Sequence, residues 1–213
     1  MSVRHKLKSL YFKVFGPPTK FMPPPYRHIV QLGDPILRFK SEPVPVSDIH
    51  SKENIQIMRI MWDCLDMFDI AGISAPQIGV AKRIMAIQYP EQRDSAYTAK
   101  EYEDMEMEAF WINPEMKILD WNKVSHPEGC ASLKGLYAHV PRYKKVLLKG
   151  LNEDGNPIEL EAKGWTARII QHEMDHLEGT FYTDLMEPKS LCHCGWQYIN
   201  LMQGRVKLDY GPV

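Results

Sequence analysis

The five residues His172-Glu173-Met174-Asp175-His176 constrain this chain more than any other stretch. Histidines four positions apart share one face of an α-helix, so a helix here brings both imidazoles within reach of one metal ion. Glu173 then sits beside that point, where a carboxylate can handle the proton of a water held there. The plainer alternative is an ordinary helix carrying two unrelated histidines, and the surrounding sequence has to decide. The helix is predicted over about residues 165–177, with Gly179 as its C-terminal stop. Trp165, Ile169, His172 and His176 fall along one face, and Ala167, Ile170, Met174 and Leu177 along another. Apolar residues on both sides imply a helix buried within sheet, and buried histidines need partners. The fold class expected is α+β, with antiparallel β-sheets surrounding a central helix that carries the two histidines.

The rest of the chain narrows the classes available. Its 213 residues suit one domain with terminal extensions, and a formal net charge of −1 gives no sign of a nucleic-acid surface. No apolar run is long enough to span a membrane. Four cysteines, Cys64, Cys130, Cys192 and Cys194, are too few and too irregularly spaced for a disulfide scaffold, which favours a reducing compartment with thiols available as ligands. Charge is uneven: Arg4, Lys6, Lys8, Lys13, Lys20 and Arg27 precede the first acidic residue, Asp34. Val3, Leu7, Leu10, Tyr11 and Val14 add an apolar stripe at helical spacing, and together these read as a mitochondrial transit peptide. Pro17, Pro18, Pro23, Pro24 and Pro25 mark an extended linker. The division expected is a leader and linker over 1–28, a folded domain over 29–190 and a C-terminal extension over 191–213.

Within the domain, Ser51 caps a predicted amphipathic helix whose apolar positions are Ile55, Met58, Met61, Trp62, Leu65 and Phe68. Residues 69–80 read as a loop or bent segment, 83–88 as a strand, and 110–113 as a strand ending at Pro114. The acidic stretch 90–108 reads as a solvated insertion. Two hairpins are predicted, one from 116–121 with 124–126 and one from 146–151 with 158–162.

A catalytic site of this kind wants a third protein ligand and an open position. Downstream, Glu178, Glu187 and His193 are candidates, none in a recognisable spacing; upstream, a thiolate is available in Glu128-Gly129-Cys130-Ala131-Ser132. Further upstream, Gly72-Ile73-Ser74-Ala75-Pro76-Gln77 presents one uncharged amide on a glycine-flanked bend. Cys192-His193-Cys194 reads as a polar turn, because adjacent ligands do not easily share one tetrahedral ion. Glu128 and Arg168 are candidates for supporting roles behind the ligands, against a plain turn carboxylate and an Arg168–Asp175 salt bridge.

These three segments together resemble the peptide deformylases, a family marked by glycine followed by Ala-Pro-Gln, by Glu-Gly-Cys-x-Ser and by His-Glu-x-x-His, in that order. The likeness spans roughly residues 29–187, and the basic leader, the insertion and Trp165 look most like the mitochondrial eukaryotic branch. Ile70 stands where the family often has glycine, and Ala131 where leucine is common. The resemblance implies hydrolysis of the N-formyl group from the initiator methionine of new polypeptides in the mitochondrial matrix, releasing formate. It implies Cys130, His172 and His176 as ligands of one divalent ion, with zinc, iron(II) and cobalt left open, and Glu173 as the proton carrier. Gln77 and the Ala131 backbone N–H would stabilise the oxyanion. Gly72 and Gly129 would line the peptide, and Trp165 and Ile169 the methionine pocket. Formyl-Met peptides and nascent chains are the implied partners, without nucleic acid or membrane; a mitochondrial ribosome and a homodimer stay open. Two rival readings remain: a general metallopeptidase with a different third ligand, and a non-catalytic protein stapled by metal.

Overall fold

The computed structural model describes residues 23–88 and 109–211. Most of the expected leader and the whole insertion at 90–108 lie outside the described residues. The architecture is α+β around one antiparallel sheet. Strands run in the order β1 (Gly72–Ser74), β2 (Ile84–Ile87), β3 (Ala109–Gly129), β4 (Leu136–Leu151) and β5 (Pro157–Lys163), and β6 (Cys192–His193) adds to β4. The β4–β5 hairpin follows the sequence reading: Val146 faces Ala162, Leu148 faces Leu160, and Asn152 Oδ1 accepts from the Asp154 and Asn156 N–H groups at 3.0 and 2.8 Å.

Three expectations about strands are corrected. β3 does not stop at Pro114 but runs on to Gly129, 21 residues in all. The pairing with β4 shifts between Ile112 and Glu115, where Asn113 has a φ of 53° and its amide exchanges two 2.7 Å bonds with the Val44 backbone. That bulge absorbs the proline, which has no N–H for a ladder. The hairpin expected from 116–121 and 124–126 is likewise one strand with a second irregularity. Asp120 Oδ1 accepts from the Asn122 N–H at 2.9 Å, so turn-forming residues make a bulge in β3, and its true partner is β4. Cys192 and His193 form strand β6 rather than a polar turn, opposite Tyr137 and Leu136.

The first helix, α1 (Lys52–Phe68), begins where Ser51 Oγ accepts from the Asn54 N–H at 3.2 Å. Its core face is Ile57, Met58, Ile60, Met61, Cys64 and Leu65, packed on β1 and β2. Ile55, expected inside, is 51% exposed. Burial, the largest influence, pushes the Cys64 thiol up to about 11. The second helix, α2 (Gly164–Leu177), matches the predicted span and contacts β1, β2, β4 and β5. Ala167, Ile170, Met174 and Leu177 join Trp111, Val146 and Leu148 in a second core. The buried Ile, Leu, Met and Val side chains among these are each worth about 1.5–3 kcal/mol in transfer from water. Gly179 follows with a φ of 72°; a Cβ there would lie 2.6 Å from the Arg38 carbonyl oxygen, so the stop is enforced by packing as well as conformation.

Among the described residues, backbone hydrogen bonding to the folded part starts at Tyr26, inside the expected linker. Tyr26 N–H donates to Ile78 O and Val30 N–H to Gln77 O, both at 2.9 Å, and Leu32 N–H donates to Ser132 O at 2.7 Å. This segment thereby ties the Gln77 turn to the Cys130 turn.

Candidate metal centre

Four segments converge on one point. Helix α2 supplies His172 and His176, whose ring centroids lie 4.9 Å apart. The turn after β3 supplies Cys130, which ends the strand as cap of a 3-10 turn over Ala131–Leu133. The donor atoms of Cys130, His172 and His176 all lie within 4.8 Å of one another, and Cys130 Sγ is 3.3 Å from His176 Nε2. Bonds of about 2.0–2.3 Å in a tetrahedral site put ligand atoms roughly 3.5 Å apart, so the set fits one ion. One sulfur and two imidazoles suit zinc, iron(II) or cobalt and not the hard oxygen-seeking ions. Glu178, by contrast, is paired with Lys40 and Arg83 at 2.7 and 2.6 Å, and His193 Nδ1 accepts from the Gly195 N–H at 3.0 Å. Neither they nor Glu187 joins the group.

Glu173 is 2% exposed, and its Oε2 has no hydrogen-bond partner among the described residues. Burial pushes its carboxyl up to about 7. An unpartnered buried carboxylate oxygen beside three soft donors is what a site awaiting water and substrate requires. Gly72 makes the placement feasible: a Cβ on it would lie 2.6 Å from Glu173 Oε1 and 3.0 Å from its Cγ. Since the clash falls on a movable side chain, Gly72→Ala is expected to leave the melting temperature nearly unchanged while displacing the carboxylate. A shift of about 1 Å at a reacting group costs on the order of 100-fold in rate, which steady-state kinetics on the metal-loaded variant would read.

Gln77 is set by its own turn. Its Oε1 accepts from the Ser74 N–H at 2.9 Å, which leaves Nε2 to face Cys130 Sγ at 3.7 Å and Ser132 Oγ at 3.4 Å. Ala131 opens its 3-10 turn, a position whose N–H has no partner within the turn. Its carbonyl is held by Gln31 Nε2 at 2.9 Å, a contact made by a residue that sequence reading passed over.

Behind the ligands lies a buried ionic cluster. Glu128 Oε1 accepts from His172 Nδ1 at 2.7 Å, which puts the imidazole proton on Nδ1 and turns the Nε2 lone pair toward the ion site. Arg142 grips Glu128 from two nitrogens at 3.0 and 2.5 Å and reaches Asp175 at 2.5 Å. Arg168 bonds Glu128 Oε2 at 3.0 Å and the carbonyls of Val140 and Val124 at 2.9 and 2.6 Å. Burial opposes ionisation of Glu128, yet the bonds from His172 and Arg142 outweigh it and hold its pKa far below the usual range. Burial likewise opposes a charged His172 while Cys130 and Glu128 favour one, and a metal ion competes with that second proton for Nε2; burial and then His172 hold His176 well below the ordinary value. Asp175 therefore pairs with Arg142, not with Arg168. Arg142 escaped the sequence reading, although its parity with buried Ala138 and Val140 on β4 was a usable signal.

A cavity of about 430 Å³ opens onto the centre. Gly72, Gln77, Gly129, Cys130, Ala131, Trp165, Ile169, His172 and Glu173 all line it, so all but one of the site residues implied by the resemblance meet there; His176 lies deeper. β1 is the edge strand of the sheet path, with Gly72 at its start. Ile70 also lines the cavity and packs on the first core.

A sulfur–bis-imidazole donor set beside a buried carboxylate, on an α+β scaffold, belongs to the class of metal-dependent hydrolases. Comparison with known proteins narrows the class. The polypeptide deformylase family model matches residues 26–191. The chain is 35% identical over 191 residues to mitochondrial peptide deformylase of Homo sapiens, covering 88% of this chain and 77% of that one. It is 38% identical over 164 residues to peptide deformylase of Thermomicrobium roseum, covering 77% and 88%. Among solved structures, peptide deformylase from Synechococcus elongatus in complex with actinonin superposes with a TM-score of 0.65 at 29% identity, covering 92% of this chain and 96% of that chain. The chain belongs to the peptide deformylase family.

Proposed function

We propose that this chain hydrolyses the N-formyl group of formyl-methionine at the start of new polypeptides, releasing formate and a free amine, in the mitochondrial matrix. Cys130, His172 and His176 would hold one divalent ion, which would supply a Lewis acid and a lowered pKa for water at the site. Glu173 takes the proton of the attacking water and returns it to the amine nitrogen as the C–N bond breaks. The Gln77 side-chain amide and the Ala131 N–H donate to the oxyanion that develops on the formyl oxygen. Glu128 keeps His172 in the tautomer that binds.

The observation that carries this reading is the buried, unpartnered Oε2 of Glu173 beside three convergent donors. Helix α2 is the central element that couples them. Trp165 and Ile169 form the methionine pocket. The peptide lies extended past Gly129 and pairs with the free edge of β1 at Gly72 as an added strand. Residues 1–28 serve as leader and linker, 29–190 as the catalytic domain and 191–213 as an extension. The mitochondrial setting is supported by the name of the human relative and by the acid-free, basic N-terminus. The test is formate release from formyl-Met-Ala-Ser compared with its acetylated counterpart. The formyl peptide is expected to be cleaved and the acetyl peptide left intact, since a hydrogen on the scissile carbon needs less room than a methyl group. Equal cleavage of both would point to a general amidase.

A further inference from the structure

The two donors to the oxyanion, the Gln77 side-chain amide and the Ala131 N–H, come from different turns, and one short stretch of chain bonds to both turns. Val30 N–H donates to the Gln77 carbonyl at 2.9 Å, Gln31 Nε2 to the Ala131 carbonyl at 2.9 Å, and Leu32 N–H to the Ser132 carbonyl at 2.7 Å. Val30 and Leu32 act through their backbone, which any residue but proline supplies. Gln31 acts through its side chain, so the identity of the amino acid matters there.

Gln31 uses both ends of its carboxamide. While Nε2 donates to the Ala131 carbonyl, Oε1 accepts from the Lys134 N–H at 3.4 Å. In a 3-10 turn the carbonyl of one residue and the N–H three residues on face each other. The carboxamide therefore brackets the Ala131–Leu133 turn from outside. A further bond from Nε2 to the Ile29 carbonyl, at 3.2 Å, fixes the bracket itself. The Ala131 N–H shares a rigid peptide plane with the Cys130 carbonyl, and within the turn that carbonyl accepts from the Leu133 N–H at 2.9 Å. The direction of the Ala131 N–H is thus the direction of the turn, and Gln31 holds the turn.

We propose that Gln31 is a positioning residue for the oxyanion: its carboxamide aims the Ala131 N–H at the place where negative charge develops. The proposal rests on the deformylase reading and adds a residue to it. A hydrogen bond to an oxyanion strengthens as the charge forms, so a misdirected donor lowers kcat and leaves KM nearly alone.

The test uses the metal-loaded full chain, formyl-Met-Ala-Ser and Gln31→Met, which keeps the side chain's length and removes both polar ends. The expected fall in kcat is about 10-fold, short of the roughly 10²–10³ that loss of one oxyanion donor costs. KM should stay within about twofold of the parent's, with the metal content unchanged. Ala131→Pro removes the N–H outright, and Cys130, with φ −145° and ψ 137°, already has the extended conformation that a following proline requires. In the Ala131→Pro background, Gln31→Met is expected to change kcat by less than about twofold, because the group it aims is gone. A full 10-fold loss in that background as well would overturn the proposal, as would an unchanged kcat in Gln31→Met or a loss that follows lost metal or a raised KM. Should Gln31→Met fail to fold, Gln31→Glu reads the same outcomes: its carboxylate accepts from Lys134 but cannot donate to Ala131. Absence of formate release by the parent chain would overturn the deformylase reading instead.

Discussion

Glu173→Gln is expected to lower the rate of deformylation about 10³-fold, within the range set by loss of a general acid–base, while the bound metal stays. The substitution keeps the shape of a side chain that is 2% exposed and sits against Gly72. What it removes is the ability of Oε2, which has no other partner among the described residues, to accept and return a proton. A 10³-fold loss corresponds to about 4 kcal/mol of transition-state stabilisation. Metal analysis and single-turnover kinetics on the same sample would check both halves. Full activity with normal metal content would mean that another group carries the proton, and a non-catalytic metal staple would predict no measurable change at all.

Cys130→Ala has the second large effect, on the metal itself. Loss of an outer partner of a ligand already costs about 10- to 100-fold in affinity, so loss of one ligand of three is expected to exceed roughly 100-fold, with activity falling alongside it. Titration of the stripped variant with the metal, followed by calorimetry, measures this directly. The variant should still fold, because Cys130 is only half-buried and its turn is also held by the Gln31 bond to the Ala131 carbonyl. Retained metal and activity would move the third ligand elsewhere, although Glu178 and His193 are both committed to other contacts.

The parts of this site legible in the sequence were those fixed by local spacing. The helix of His172 and His176, the Ser51 cap and the β4–β5 turn at Asn152 each follow from residues within a few positions of one another. Continuity of β3 did not, because Pro114 and the Asp120–Asn122 turn residues carry the same local signal whether the chain reverses or merely bulges. Pairing with β4 decides between the two, and that is a long-range fact. Arg142 was missed because an arginine inside a strand looks like an outward residue until the parity of Ala138 and Val140 is followed. The requirement at Gly72 was invisible for another reason: the atom it makes room for belongs to a helix about a hundred residues later. Glu128 could be named as a support, but its grip on His172 needed coordinates.

The central claim is that one ion held by Cys130, His172 and His176 makes this chain a deformylase. It is tested most directly by formate release from formyl-Met-Ala-Ser before and after the metal is stripped with a chelator and restored. Release should vanish on stripping and return in proportion to metal, saturating at one ion per chain. Formate release that persists in the stripped protein, or none from the folded, reloaded protein, would contradict it.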